Sequence, residues 1–385
     1  MQWDQTKSTL SLNPVDLAVM CQSKIDISEI ADQTARNHMP FWSILSYLLH
    51  SSHAGTAPRF WEYYRETLLL AKEREQHYST VYLSKSNGKK RILHVPDWEL
   101  SYQQRFILDE VLTKLPVSSC AYAYRKGISM ADCAKPHVQQ KTLIHLDIQN
   151  FFGSITESMV FHRLEQETVY SKQLLNFFAR IGCYKGYLPQ GACTSPVLSN
   201  ICFRDCDDAI QAYAESHGLA YTRYSDDIYL SGDIADAGLV IRTVSDILQE
   251  HGFVLNREKT KVLHRNMSQR VLGLIVNDIL QVSRSYRRAL RQELYYLKKY
   301  GTDTEGVKSA PSYLHYLHGL QGKIAYVLSV DPFSEEFQRA KAEICNLIGT
   351  TEVEYYRNWL KQGNYGTFKE WKWRIHHPSL HPNEE

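Results

Sequence analysis

A chain of 385 residues, 43% hydrophobic and 22% charged, is long enough to bury more than one core and too apolar to be a disordered tail. No run approaches the roughly 20 apolar residues that span a bilayer, and residues 1–13 lack the basic-then-apolar order of a signal peptide, so a soluble, cytoplasmic protein with no membrane partner is expected. The near balance of 44 Lys and Arg against 42 Asp and Glu hides a local excess, because residues 257–299 hold eleven basic side chains and three acids, a net +8. The eight cysteines are scattered without framework spacing, which fits buried thiols in a reducing compartment better than disulfides.

In chain order, residues 15–75 read as helical, with apolar periodicity over 41–49 and 60–70 on either side of a breaker stretch at 51–58. Residues 78–83 and 91–95 read as strands joined through Ser86-Asn87-Gly88-Lys89, where Asn-Gly supplies the positive φ of a tight turn. A helix is expected over 97–115, an apolar strand over 143–148, a helix over 157–180, and one long helix over 195–217 opened by Thr-Ser-Pro. The β-rich runs 221–224 and 228–231 are joined across Ser225-Asp226-Asp227, which places both acids at a hairpin tip. A helix at 238–251, a strand at 270–276 and helices from 285 onward, interrupted at 301–311, complete an α+β core flanked by helical regions.

Three acids stand out by position: Asp147 near the end of an apolar strand, and Asp226 and Asp227 in the hairpin turn. Carboxylates gathered from neighbouring strand ends repel one another, and divalent cations are the usual relief. Oxygen-only ligation favours Mg²⁺ over zinc. Two such ions about 3.5–4 Å apart serve in-line phosphoryl transfer, with Asp147 and Asp226 bridging them and Asp227 in support.

Asp147-Ile-Gln-Asn-Phe-Phe, Leu188-Pro-Gln-Gly-Ala-Cys-Thr-Ser-Pro196 and Tyr224-Ser-Asp-Asp227, in this order, resemble the three central motifs of reverse transcriptases. The likeness extends to Arg91-Ile-Leu-His-Val-Pro96, Tyr124-Arg-Lys-Gly127, Asn256-Arg-Glu-Lys-Thr260 and Val271-Leu-Gly-Leu274, over about residues 80 to 335. It implies a right-hand polymerase architecture: fingers and a palm with an antiparallel sheet over 76–280, and a helical thumb over 281–350. Residues 1–75 would form an N-terminal helical region and 351–385 a C-terminal extension.

The resemblance also implies roles. Phe152 would lie under the incoming sugar and exclude a ribose 2′-OH, while strand alternation requires one of Phe151 and Phe152 to be a core aromatic. Gln190 would touch nucleotide and template, and Gly191 would allow close backbone approach, which a turn glycine without a ligand explains equally. Arg91, with Lys89, would clamp the triphosphate. Lys259 would protonate the departing pyrophosphate, with Lys261 as the fallback. Val271 and Gly273 would position the primer terminus, and Arg125, Lys126, His137, Arg287, Arg288 and Arg291 would contact RNA or primer, giving the basic segment a duplex to track.

Cys133-Ala134-Lys-Pro-His137 and Val271-Leu272-Gly273 each differ by one residue from elements of bacterial retron enzymes, Asn-Ala-x-x-His and Val-Thr-Gly. Ser225 stands where Ala is more usual and Cys193 where Pro is frequent. A retron enzyme implies a structured noncoding RNA as template and primer, synthesis from a guanosine 2′-OH, branched msDNA as product, dNTPs as substrates, two Mg²⁺ ions, a separate effector protein in anti-phage defence, and a possible higher-order assembly. The alternatives are another bacterial reverse transcriptase of group II intron type, or a non-catalytic RNA-binding scaffold of the same fold. Residues 351–385, with Trp359, Trp371 and Trp373, would pack on the thumb, stack on RNA or contact an effector.

Overall fold

The computed structural model describes residues 70–71, 73–84, 88, 90–168, 170, 172–364 and 366–376. Most of the expected N-terminal helical region, the turn residues Ser86 and Asn87, and Lys89 lie outside the described residues. The chain divides into two compact units, the first running to Ser129 and again over Thr142–Val262, the second comprising Met130–Lys141 and the chain from Leu263.

The first unit opens with an antiparallel hairpin of β1 (Tyr78–Ser84) and β2 (Lys90–Pro96). Asp97 ends it and caps α1 (Trp98–Glu110), its side chain accepting from the Leu100 amide at 3.0 Å. In chain order, α2 (Met130–Ala134), which belongs to the second unit, is followed by β3 (Thr142–Asp147), α3 (Phe151–Ser154), α4 (Glu157–Glu167), α5 (Lys172–Gly182), α6 (Ser195–Cys202), α7 (Arg204–Ser216), β4 (Ala220–Tyr224), β5 (Asp227–Gly232), α8 (Ala237–Glu250) and β6 (Lys261–His264). β3 through β6 form one sheet in the order β4-β5-β3-β6, with β3 and β4 both antiparallel to β5. Leu143, Ile144 and Leu146 of β3 are fully buried. Such a continuous apolar run is what a strand covered on both faces requires.

Two expected helices are each divided. The segment 157–180 breaks after Glu167, where extended Thr168 turns its hydroxyl back to the Leu164 carbonyl at 2.7 Å. The segment 195–217 breaks at Phe203, whose ring is fully buried against Phe151 and Phe253. Burial of that ring outweighs helical continuity, which no propensity pattern records.

In the second unit the expected strand at 270–276 is a tight hairpin of β7 (Arg270–Val271) and β8 (Leu274–Ile275), turned by Leu272 and Gly273 at φ of 51° and 83°. Two successive positive φ values match the twist of a two-residue hairpin. Helices α9 (Arg284–Tyr300), α10 (Glu305–Lys308), α11 (Tyr313–Val330), α12 (Glu335–Lys361) and α13 (Phe368–His376) follow. Leu314, Leu317, Leu320, Ile324 and Val327 form a buried stripe on α11, which packs along α12. Trp371 is buried beside Tyr356 and Phe368, and Lys372 pairs with Glu352 at 2.6 Å, so α13 folds back on α12. Of the roles open to the C-terminal tryptophans, Trp371 takes packing.

Candidate active site

The strand register brings the three acids together. Asp147, the last residue of β3, faces Asp227, the first of β5, and Asp226 occupies the turn between β4 and β5, its carbonyl accepting from the Ile148 amide at 2.9 Å. Because strand side chains alternate, His145 and Asp147 share one face with Tyr229 and Asp227 opposite them. Asp147 is buried, and Asp226 and Asp227 are half-buried.

Each carboxylate is held differently. Asp147 accepts from Lys259 Nζ at 2.7 Å through one oxygen and from Asn256 Nδ2 at 3.1 Å through the other, and its carbonyl accepts from the Asn256 amide at 2.8 Å. Asp227 accepts from His145 Nε2 at 2.6 Å, and that imidazole stacks on Tyr229 with ring centroids 4.7 Å apart. Burial, reinforced by the charges of Asp227 and Asp147, pushes the Asp226 carboxyl above the ordinary carboxylate range. The hydrogen bond to Asp147 raises the Lys259 ammonium above its ordinary value. Lys259 therefore faces the acids as a cation, the protonation state a general acid needs.

This donor set suits a hard divalent cation: three carboxylates and no sulfur, with like charges close enough to disturb one another. The ligand atoms of the three acids do not all lie within 4.8 Å of one another, and Lys259 holds Asp147 while His145 holds Asp227. Among the described residues, the one set of His, Cys, Asp and Glu ligand atoms all within 4.8 Å of one another is His77, Asp97 and Glu99. Helix capping and the 2.7 Å contact of His77 with Asp97 account for that set.

Phe151 is in the core with Phe203 and Phe253, whereas Phe152 is half-buried with its ring 6.5 Å from that of Tyr124. The two sit on the short helix α3 rather than on a strand, so helical rotation separates their directions. Gly191, at φ 128°, follows Gln190, whose carbonyl accepts from the His94 amide of β2 at 2.7 Å. A Cβ on Gly191 would stand 2.6 Å from the His94 carbonyl oxygen, so close approach of β2 already requires the glycine. Arg91 is exposed on β2 opposite Leu83.

The expected RNA and primer contacts fare unevenly. His137 is completely buried, which depresses its imidazole pKa to about 3. That burial corrects the expectation that its side chain meets RNA, because an interior neutral imidazole offers nothing to a phosphate. The Val271 side chain is likewise fully buried, while Gly273 is exposed in the turn. Arg125 donates to the carbonyls of Ala121, Ser118 and Ser119 and so braces its own loop. Arg291 forms a two-pronged pair with Glu336 at 2.6 and 2.7 Å, and Arg287 donates to Gln281 at 2.6 Å. Lys126 and Arg288 are exposed.

Sequence reasoning passed over His145, Asn256, Asp207 and Arg223 as site residues. The period-2 rule applied backward from Asp147 identifies His145. Nothing local identifies Asp207, which sits on α7 and pairs with Arg223 on β4, both completely buried.

The family model described as reverse transcriptase (RNA-dependent DNA polymerase) matches residues 83–276. The Retron Mx65 reverse transcriptase of Myxococcus xanthus is 34% identical over 286 residues, 69% of this chain and 64% of its own length. The Retron Ec86 reverse transcriptase of Escherichia coli is 28% identical over 301 residues, 76% of this chain and 87% of its own. The chain thus spans just under two thirds of the first relative and most of the second. A solved foamy viral protease-reverse transcriptase in complex with double-stranded DNA covers 71% of this chain and 39% of its own at 18% identity and a TM-score of 0.43, a likeness too loose to bear on function.

Proposed function

The chain belongs to the reverse transcriptase family, and from that premise we propose that it is a retron RNA-directed DNA polymerase, copying part of a structured noncoding RNA from a guanosine 2′-OH to give branched msDNA. The observation that carries the reading is the convergence of Asp147, Asp226 and Asp227 at one end of the sheet with the Lys259 ammonium against them. A scaffold that had lost catalysis would have no need to bury mutually repelling acids.

Asp147, Asp226 and Asp227 would hold two Mg²⁺ ions, which when bound would make the attacking hydroxyl a better nucleophile and offset the charge of the departing pyrophosphate. The chain supplies the remainder. Lys259 donates its proton to the leaving group. Arg91, on the hairpin of β1 and β2, holds the triphosphate, with Lys89 the adjoining cation in the sequence. Phe152 sits against the sugar and selects deoxynucleotides, and Gln190 steadies base and template. Lys126, Gly273 and Arg288 remain available to nucleic acid. The proposed division is fingers and palm over 76–280, thumb over 281–350 and extension over 351–385. An effector protein and a role in anti-phage defence complete the reading by way of the retron relatives.

Extension of a primed RNA by the purified chain with dNTPs and Mg²⁺ tests it. Product from wild type and none from the D226A/D227A variant, with RNA binding retained, is expected; no product from wild type refutes the polymerase reading. Sequencing the nucleic acid that co-purifies with the chain tests the retron assignment, which requires DNA joined to RNA through a 2′–5′ bond.

A further inference from the structure

We infer that Arg223 is a positioning residue for the catalytic turn, fixing Asp226 through the backbone carbonyl of Ser225. The inference rests on the polymerase reading above. Arg223 lies on β4 three residues before Asp226, and its guanidinium is completely buried. Nε and Nη2 each donate to one oxygen of Asp207 on α7, at 2.8 and 2.6 Å, and Asp207 Oδ1 also accepts from the Tyr221 hydroxyl at 2.6 Å. Nη1 faces the other way, donating to the Ser225 carbonyl at 3.0 Å and to Asn200 Oδ1 at 3.2 Å. The Phe203 ring lies 4.5 Å from the guanidinium carbon, so the fork has little freedom to turn.

The Ser225 carbonyl needs a donor. Ser225 has φ of 60°, the left-handed region that a residue with a side chain disfavours. Asp226 follows it, and the peptide groups on both sides of Asp226 are held. The Ser225 carbonyl accepts from Arg223, and the Asp226 carbonyl accepts from the Ile148 amide of β3 at 2.9 Å. Arg223 thus clamps one side of the catalytic acid and β3 the other. Asn200 extends the network by donating to the Ala123 carbonyl at 2.8 Å, and the neighbouring Tyr124 hydroxyl lies 2.9 Å from Ser225 Oγ. That last bond requires the serine that stands where alanine is more usual.

Stability alone gives no reason for this arrangement, because replacing a buried ion pair by apolar side chains of similar volume is often neutral or stabilising. An apolar replacement cannot donate to the Ser225 carbonyl, and this separates the two roles experimentally. In the R223M/D207L/Y221F variant no charge or tyrosine hydroxyl is left without its partner.

The test uses the full chain and reads melting temperature, kcat and KM for dNTP on a primed RNA, and Mn²⁺ binding by electron paramagnetic resonance. The triple variant is expected to remain folded with a melting temperature near that of wild type, to lose about 10²-fold in kcat with KM for dNTP unchanged, and to bind Mn²⁺ more weakly. Wild-type kcat and Mn²⁺ affinity in a folded triple variant overturn the inference. If the triple variant does not fold, R223K decides, assayed well below its own melting transition. Lysine keeps the charge beside Asp207 without the fork, so reduced kcat at unchanged KM supports positioning and wild-type kcat refutes it. Failure of wild type itself to extend the primer removes the polymerase reading instead.

Discussion

The turn between β4 and β5 and the basic helix α9 hold charge in opposite ways. At the turn, three acids are packed from adjoining strands, and Asp226 is pushed above the ordinary carboxylate range by burial and by its neighbours. Along α9 the charge is spread and paired only in part: Arg291 with Glu336, and Glu293 with Lys323 of α11 at 2.7 Å, while Arg288 is exposed. Like charge drawn together at a structured turn is what a cation site requires. A helix whose charges are spread over its surface, some paired and some exposed, does not mark a site by its net count alone.

Five substitutions break or sharpen that contrast, from the largest effect to the smallest. Lys259→Ala should lower kcat by about 10²-fold or more, the usual scale for losing a general acid, in single-turnover extension assays. A variant with full kcat would transfer the role to Lys261. Gly191→Ala should destabilise the first unit by about 1–3 kcal/mol in chemical denaturation, since its Cβ meets the His94 carbonyl at a strained φ. Unchanged stability would mean that β2 yields freely and that the glycine serves a ligand instead.

His137 belongs to the second unit and tests burial without function. Its folded imidazole pKa is about 3, against about 6.5 in the unfolded chain, so between those values the unfolded state binds the extra proton. Its contribution is complete above about pH 6.5 and is lost as pH falls toward 3, by about 1.4 kcal/mol per pH unit at most. His137→Gln should flatten that part of the stability profile in urea titrations across pH, and an unaltered slope would place the proton uptake elsewhere. The smallest effect concerns salt. Arg288→Ala should reduce the slope of log affinity against log salt for RNA by about 1. Arg291→Ala, whose guanidinium is paired with Glu336, should leave it unchanged; equal slopes for the two variants would remove the distinction between paired and exposed cations.

Much of this was legible in the residues. Asn-Gly between two β-rich runs, the apolar run ending in Asp147, and β-rich flanks around Ser225-Asp226-Asp227 are local patterns, and local patterns report local backbone geometry. Phe203 shows where that stops. Nothing adjacent to it breaks a helix, and the break comes from the space beside Phe151 and Phe253. His137 and Arg291 lie beyond it for the same reason: a motif position and a positive charge say nothing of whether the side chain ends in a core or beside a glutamate.

The sequence by itself determined strands β1 to β5, the turn between β4 and β5 and the identity of the three acids, because alternation and turn chemistry act over a few residues. Only the tertiary structure decided which partners those acids keep. Lys259 and Asn256 reach Asp147 across more than one hundred residues, His145 reaches Asp227 across eighty-two, and Arg223 finds Asp207 on a helix that no short pattern links to the catalytic turn. Hydrogen bonds and ion pairs depend on distance in space, and distance in space is set by how the sheet and helices pack.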